Sequence, residues 1–337
     1  MKKETIDVSI VIVCMNNLKN LYPCLESIRK YTTEVTYETF VVAYLFTKEN
    51  LEKVKTNFPW VTIVESNEIR GFSENNNLAL KQAKGRYCFV LNDDTEMQMS
   101  VIDRLVAALN DLPENVAIIS PRLIGYDGIT QVCGRPYKDW RHILLGMFHL
   151  YDEKSDKKYS NKTGTFQSYN IIGAAFLIKT KVLVEAGYFD EYFFFSPEDL
   201  ALSTSVNKMG YQCWVNADVT LIHKEGMSGK SLSMIQTATR PAHAKGGIYF
   251  YAGNTTNGLG YHLLGIAYLL RSFSQFLVHR IKGSFKTKPN ADYVLSIGDW
   301  NTCMTIMTKM SPKEIFIKYY SQLKYVQLND DNKSFVS

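Results

Sequence analysis

Val8 to Cys14 reads Val-Ser-Ile-Val-Ile-Val-Cys, apolar on both alternating faces except at Ser9. A strand of that kind has to be covered on both sides, and a parallel sheet sandwiched between helices is the arrangement that does so. The residues that follow supply the covers. Leu18, Leu21, Leu25 and Ile28 recur at helical spacing, Tyr37 to Tyr44 is a second strand, and Leu51, Val54 and Phe58 line one face of a second helix. Val61 to Val64 is a short strand, and Ser73 to Lys84 reads as a helix stopped by Gly85 in the left-handed conformation that glycine adopts at low cost. Tyr87 to Leu91 is the next strand. Ser100 and Asp103 then form a capping-box-like start to a helix bearing Ile102, Leu105, Val106 and Leu109. Strands alternating with such helices predict βαβ units and a mainly parallel central sheet flanked by helices.

Further on, Asp127-Gly128 is a turn signal, and Asp152 to Lys162 is charged and expected at the surface. Apolar regularity returns at Ile171 to Ile178. A short helix from Lys181 to Ala186 is stopped by Gly187, and Ser196-Pro197-Glu198-Asp199 opens another, with Ser as N-cap and Pro in the first helical position. Gly210 closes that helix, and two short strands follow, Cys213 to Val215 and Val219 to His223. Gly258 to Ile281 is an amphipathic helix with a basic end that Lys282, Lys286 and Lys288 prolong. It suits either packing on protein or lying in a membrane interface. The expected organisation is therefore a domain over residues 1–250 and a C-terminal helical extension over 251–337.

Composition narrows the class. A chain of 337 residues with 46% apolar content can bury a large core. The net charge of +5 is dispersed, with no basic run or aromatic-interleaved lysines to suggest nucleic acid. Six cysteines without CxxC spacing are expected as reduced thiols in a cytoplasmic protein. The apolar stretch behind the polar start is too short for a signal peptide, and no stretch reaches the roughly 18–20 apolar residues that a membrane-spanning helix needs.

Asn92-Asp93-Asp94 lies directly behind the strand Tyr87 to Leu91. In open α/β sheets the ligand crevice lies outside the carboxyl ends of the strands. Clustered oxygen ligands at such a place suit a hard cation, Mn²⁺ or Mg²⁺, shared with substrate phosphates. The same three residues also make an ordinary turn.

The ordered landmarks of the chain, over about residues 7–250, resemble the inverting family-2 glycosyltransferases of GT-A fold, in particular the rhamnosyltransferase-like branch. Val8 to Asn16 is similar to the family's opening strand with its terminal Asn. Arg70-Gly71-Phe72 with Asn75-Asn76-Asn77 resembles the segment ahead of the nucleotide-sugar site, and Leu91-Asn-Asp-Asp-Thr95 the DxD-type metal motif. Asp127 to Arg135, Gly173 to Ile178, Gly187 to Glu191, Phe195 to Asp199, Gly210-Tyr211 and Val219 to His223 follow in family order.

The resemblance implies a metal-dependent enzyme that moves a sugar from a nucleotide-diphosphate donor to a glycan or lipid-linked acceptor. It implies work on surface polysaccharide in the cytoplasm or on the inner face of the membrane. Asp94 and His223 would hold the metal, with Asn92 and Asp93 beside it. Val13, Cys14, Asn16, Arg70 and Asn77 would face the nucleotide. Asp199, with Glu198 next to it, would be the base, and its place at a helix N-terminus leads to an expected low pKa.

Four positions depart from the family pattern. Ala43 stands where an Asp contacting the base is usual, Ala201 replaces the third acid of the acid-acid-x-acid pattern, Ser205 occupies the region of a usual Arg, and the first position of the DxD-type motif is the amide Asn92, a variant the branch tolerates. Ala43 and Ala201 admit a non-catalytic sugar-nucleotide-binding subunit as a second reading. A sugar nucleotidyltransferase would place a glycine-rich basic loop after the first strand, and Met15-Asn-Asn-Leu-Lys-Asn20 contains no glycine.

Overall fold

The computed structural model describes residues 5–148, 150–151, 159, 161–224, 234–284 and 291–329. In chain order its elements begin with β1 (Val8–Cys14), α1 (Leu18–Tyr31), β2 (Tyr37–Tyr44), α2 (Lys48–Asn57), β3 (Thr62–Ser66) and α3 (Phe72–Leu80). Next come β4 (Tyr87–Asn92), β5 (Thr95–Glu96), α4 (Val101–Asp111), β6 (Val116–Ile124), β7 (Gly134–Arg135) and α5 (Trp140–Met147). β8 (Thr165–Ser168), β9 (Asn170–Ile171), β10 (Ala175–Lys179), α6 (Thr180–Glu185), α7 (Glu198–Lys208) and β11 (Gln212–His223) follow. Four helices close the described chain: α8 (Gln236–Tyr251), α9 (Leu259–Ser284), α10 (Ala291–Thr305) and α11 (Pro312–Asn329).

The chain divides into two compact units. Met1–Tyr137, Asp152–Glu191 and Glu198–Met227 form one; Lys138–Tyr151, Tyr192–Pro197 and Ser228–Ser337 form the other. In the first unit the main sheet runs β3-β2-β1-β4-β10-β6-β11-β5, with β8 added on β11. Its first four strands are parallel, as the strand–helix alternation predicts, and so are β6 and β11. The sheet as a whole is mixed, because β10 runs antiparallel between β4 and β6.

The all-apolar reading of β1 has its counterpart in two cores. Ile10 and Ile12 meet Leu21, Leu25 and Ile28 of α1 and Leu105 of α4 on one face. Val11 meets Val42, Val90 and Phe176, with Leu80, Leu183 and Leu202, on the other.

Local details differ from the sequence reading where a side chain or backbone finds a distant partner. α3 ends at Leu80 rather than at Lys84. A Cβ on Gly85 would lie 2.5 Å from the Ser9 nitrogen and 2.8 Å from the Tyr87 carbonyl oxygen, so glycine is there for close backbone approach and not as a left-handed cap. Ser100 makes no side-chain cap, and Asp103 instead accepts a hydrogen bond from the Thr33 nitrogen at 3.0 Å. Ser196 is not an N-cap: it has φ of +47° ahead of a cis peptide to Pro197, and α7 starts at Glu198. The two short strands near His223 are one strand, β11, with a register shift between Asn216 and Thr220 against β6. Asp152 to Lys158, Lys286 and Lys288 lie outside the described residues.

In the second unit Ile248, Tyr261, Leu264 and Ile306 form a core with Trp140, Ile143 and Leu144 packed on it. Lys245 is buried and donates to the Tyr261 hydroxyl at 2.6 Å and to the Ile306 and Thr308 carbonyls at 3.1 and 2.5 Å. A buried ammonium with all three protons placed bears a much smaller desolvation cost. The amphipathic segment read from Gly258 onward is α9.

Candidate active site

β4 leaves the sheet in a tight turn. The Asn92 nitrogen donates to the Ala174 carbonyl at 2.9 Å, and Thr95 Oγ1 donates to the Asn92 carbonyl at 2.7 Å. With the turn's backbone partly satisfied in this way, Asp93 and Asp94 are presented from the strand end, as the turn reading of this triplet expects. β5 then pairs antiparallel with β11, His223 opposite Thr95, which brings the imidazole to Asp94.

Asp94 Oδ1 and His223 Nε2 are 3.4 Å apart, and both residues are buried. His223 Nδ1 is 2.8 Å from Gln131 Oε1, while Gln131 Nε2 donates to the His223 carbonyl at 3.0 Å. That second bond fixes which end of the amide is oxygen, so Nδ1 carries a proton and donates it to Oε1. The Nε2 edge of the ring is thereby turned toward a carboxylate oxygen. A carboxylate oxygen and an imidazole nitrogen side by side are ligand types that suit Mn²⁺ or Mg²⁺. Among the described residues no three His, Cys, Asp or Glu side chains converge as metal ligands. Substrate oxygens and water would complete a shell at this pair, as is usual where a cation is shared with phosphates.

Asp93 turns the other way. Burial pushes its carboxyl up to about 6, with the charge of Asp94 adding to the rise and the Cys14 thiol, hydrogen-bonded to it, opposing. Burial and the charge of Asp93 in turn hold the Cys14 thiol protonated. Cys14 is therefore a support for Asp93.

Asp199 opens α7. Its Oδ2 accepts from the Gly173 nitrogen at 2.9 Å, and its Oδ1 from the Leu200 nitrogen at 2.8 Å. A Cβ on Gly173 would come within 3.1 Å of the Asp199 Cβ. The expectation of a low pKa is corrected: burial pushes the Asp199 carboxyl up, and the two backbone donors and the positive charge of Arg135 only oppose that rise. Loss of water outweighs the helix N-terminus. Glu198 is buried beside it.

Several residues expected at the nucleotide have structural tasks. Asn16, at φ +52°, accepts from the Thr47 nitrogen at 3.1 Å and Asn50 Nδ2 at 2.9 Å, joining β1 to the start of α2. Asn77 exchanges two hydrogen bonds with the backbone of Phe189 and donates to Glu191 Oε1 at 2.9 Å, so both ends of its amide are committed. Arg70 donates to Glu68 Oε2 at 2.7 Å and to Ser66 Oγ at 3.2 Å. Val13 sits in β1 between Val42 and Asn92, with Asn92 half-buried at the strand end.

Gln131 is absent from the sequence reading, and Arg135 enters it only as part of a loop landmark. Gln131 reaches His223 across 92 positions, and nothing local to it signals that contact.

A mixed α/β sheet with an acidic turn and a histidine at strand ends and a second carboxylate at a helix start has the architecture of GT-A glycosyltransferase folds. A model of the family described as glycosyl transferase family 2 matches residues 9–185, more than half of the chain. The chain belongs to glycosyl transferase family 2.

A curated relative, the O-antigen biosynthesis protein RfbC of Myxococcus xanthus, is 24% identical over 219 residues; the match covers 62% of this chain and 16% of that protein. The chain thus spans a small part of that relative's length. Among solved structures it resembles GalNAc-T7, solved with UDP, GalNAc and Mn²⁺, at a TM-score of 0.51 and 18% identity, over 65% of this chain and 43% of that one. It also resembles the mannosyltransferase PcManGT from Pyrobaculum calidifontis, in complex with GDP-Man and Mn²⁺. That likeness has a TM-score of 0.50 at 14% identity and covers 97% of this chain and 81% of the other.

Proposed function

We propose that the chain is a metal-dependent, inverting glycosyltransferase. It moves a sugar of hexosyl or rhamnosyl type from a nucleotide-diphosphate donor to a hydroxyl of a glycan or lipid-linked acceptor in surface polysaccharide synthesis. The observation that carries this reading is the buried pair Asp94 Oδ1 and His223 Nε2 at 3.4 Å, with the imidazole ring held through Nδ1 by Gln131. Bound between them, Mn²⁺ or Mg²⁺ would neutralise the charge of a departing diphosphate. Structural relatives solved with UDP or GDP-Man and Mn²⁺ support a nucleotide donor and a divalent ion, and the O-antigen relative supports polysaccharide synthesis.

Asp199 takes the proton of the acceptor hydroxyl as that oxygen bonds to the anomeric carbon from the side opposite the leaving group. The bond from that carbon to the diphosphate oxygen breaks, and the electron pair leaves with the diphosphate. Gly173 and Leu200, donating to the carboxylate, favour the ionised form a base requires. Among the described residues no helix is long and apolar enough to cross a membrane, and we place the enzyme in the cytoplasm, at the inner membrane face.

Release of nucleotide diphosphate, followed across a panel of donor sugars with and without Mn²⁺, tests the reading. At least one donor should turn over and stop when the ion is chelated. Full turnover after chelation would remove the metal from the proposal. Donor binding without any turnover would favour the non-catalytic subunit that Ala43 and Ala201 suggest.

A further inference from the structure

Helix α9 contains no Asp or Glu along its 26 residues. Six of its exposed apolar side chains, Leu259, Ile266, Leu270, Phe273, Leu277 and Ile281, span an arc of about 80° when turned at 100° per residue, and exposed Val278 lies about 60° beyond it toward Arg271 and Lys282. They are well outside the core, with Leu259 69% exposed, Leu270 65% and Ile281 60%. Exposed Arg280 borders one edge of the stripe, and exposed Arg271 and Lys282 lie beyond the other.

α10 packs along α9 and widens this surface. The Phe276 and Trp300 rings are 5.1 Å apart, and Met307 lies against Gly265. Trp300, Met304 and Met307 are 43%, 54% and 48% exposed. The acids of α10 are withdrawn: Asp299 is buried between Arg240 at 2.6 Å and His279 at 2.8 Å, and Asp292 is only partly exposed. Neither helix presents a fully exposed acid among the described residues.

We propose that this face of α9 and α10 is a docking surface for an anionic membrane, which it meets lengthwise. The apolar stripe enters the interface while Arg271, Arg280 and Lys282 meet lipid phosphates. Trp300, with an apolar ring and one N–H donor, is the side chain such an interface favours. Charge decides between this occupant and a second copy of the chain. Two copies meeting through α9 would bring Arg271, Arg280 and Lys282 toward their own counterparts with no acid of that helix to answer them. An anionic lipid surface answers all three.

Cosedimentation of the full chain with vesicles tests the surface. The chain should bind vesicles of phosphatidylglycerol mixed with phosphatidylcholine at low salt, release at high salt, and bind phosphatidylcholine alone far more weakly. Combined Arg271→Glu, Arg280→Glu and Lys282→Glu should weaken binding roughly a hundredfold. Combined Leu270→Asp and Phe273→Asp should weaken it at least about tenfold. All five side chains are exposed, so both variants should keep the wild-type melting curve and the donor affinity on which the transfer reading is tested. A full chain left in the supernatant at low salt overturns the proposal, as does wild-type binding by the charge-reversed variant. A concentration-dependent dimer that Leu270→Asp and Phe273→Asp dissociates, without vesicle binding, would give the surface to a second copy.

Discussion

Asp199 is a carboxylate that folding has taken out of water, held by the Gly173 and Leu200 nitrogens. Burial sets its native pKa above the unfolded value. Between those two values the native chain keeps a proton that the unfolded chain has released, so stability falls as pH rises through that window and is level outside it. Asp199→Asn should remove this slope from melting curves taken across the acidic range. It should also lower turnover by roughly 10²–10⁴-fold with donor binding kept, the range expected for loss of a general base. Turnover within a few-fold of wild type would pass the role to Glu198. At the other side of the site, Gln131→Leu keeps much of the side chain's bulk while removing both bonds to His223. Mn²⁺ affinity, titrated without donor, should weaken by about 10–100-fold, the usual effect of losing the group that orients a ligating imidazole. Asp94→Ala should weaken it further, since it removes a ligand. Unchanged Mn²⁺ affinity in the Gln131 variant would mean that other contacts hold the ring.

Elements whose two faces are both apolar were legible from sequence. β1 and β2 occupy Val8–Cys14 and Tyr37–Tyr44, the segments their residue patterns predict, because burial on both faces leaves an uninterrupted signal. What stayed hidden depended on partners far along the chain. Asp103 reads as a capping residue until the Thr33 nitrogen is seen beside it. Gly85 reads as a helix stop, yet it is the backbone of β1 that excludes a side chain there. Gly85→Ala should therefore destabilise the fold by about 1–3 kcal/mol, because the atoms met are backbone on both sides and cannot swing away. Urea unfolding would measure this, and a midpoint equal to wild type would show that β1 yields. The candidate site divides in the same way: Asp94 could be picked out as a polar break behind an apolar run, and Asp199 and His223 became candidates chiefly through the family resemblance. Gln131 and the structural commitments of Asn16 and Asn77 were not legible, since each is defined by residues at least 31 positions away.

At the scale of the whole molecule, the second unit was the hardest to read. α8 contains Pro241 and two adjacent glycines, which argue locally against a helix, and α10 buries Ser296, Asp299, Asn301 and Thr302 where periodicity looks for apolar residues. Nor does sequence order disclose that 138–151 and 192–197 belong to this unit. Trp140 sits so close under α9 that a Cβ on Gly260 would fall 2.6 Å from its ring. Phe194 lies 4.5 Å from Phe316 between ring centroids, and Phe193 packs on Tyr249 and Phe250. Phe193 and Phe194 are at most 1% exposed, and each contributes about 1.5–3 kcal/mol by that burial. A chain cut after Lys224 retains the segments carrying these side chains but loses Tyr249, Phe250, Phe316 and α9, against which they pack in their own unit. It should expose enough apolar surface to aggregate or to bind a hydrophobic dye, even though the family match at 9–185 is intact. In the full chain, Phe194→Ala alone should cost about 3–5 kcal/mol. Sedimentation and dye binding of the 1–224 fragment decide the matter: a monodisperse, dye-silent fragment with a sharp melting transition would mean that 138–151 and 192–197 do not need the C-terminal helices.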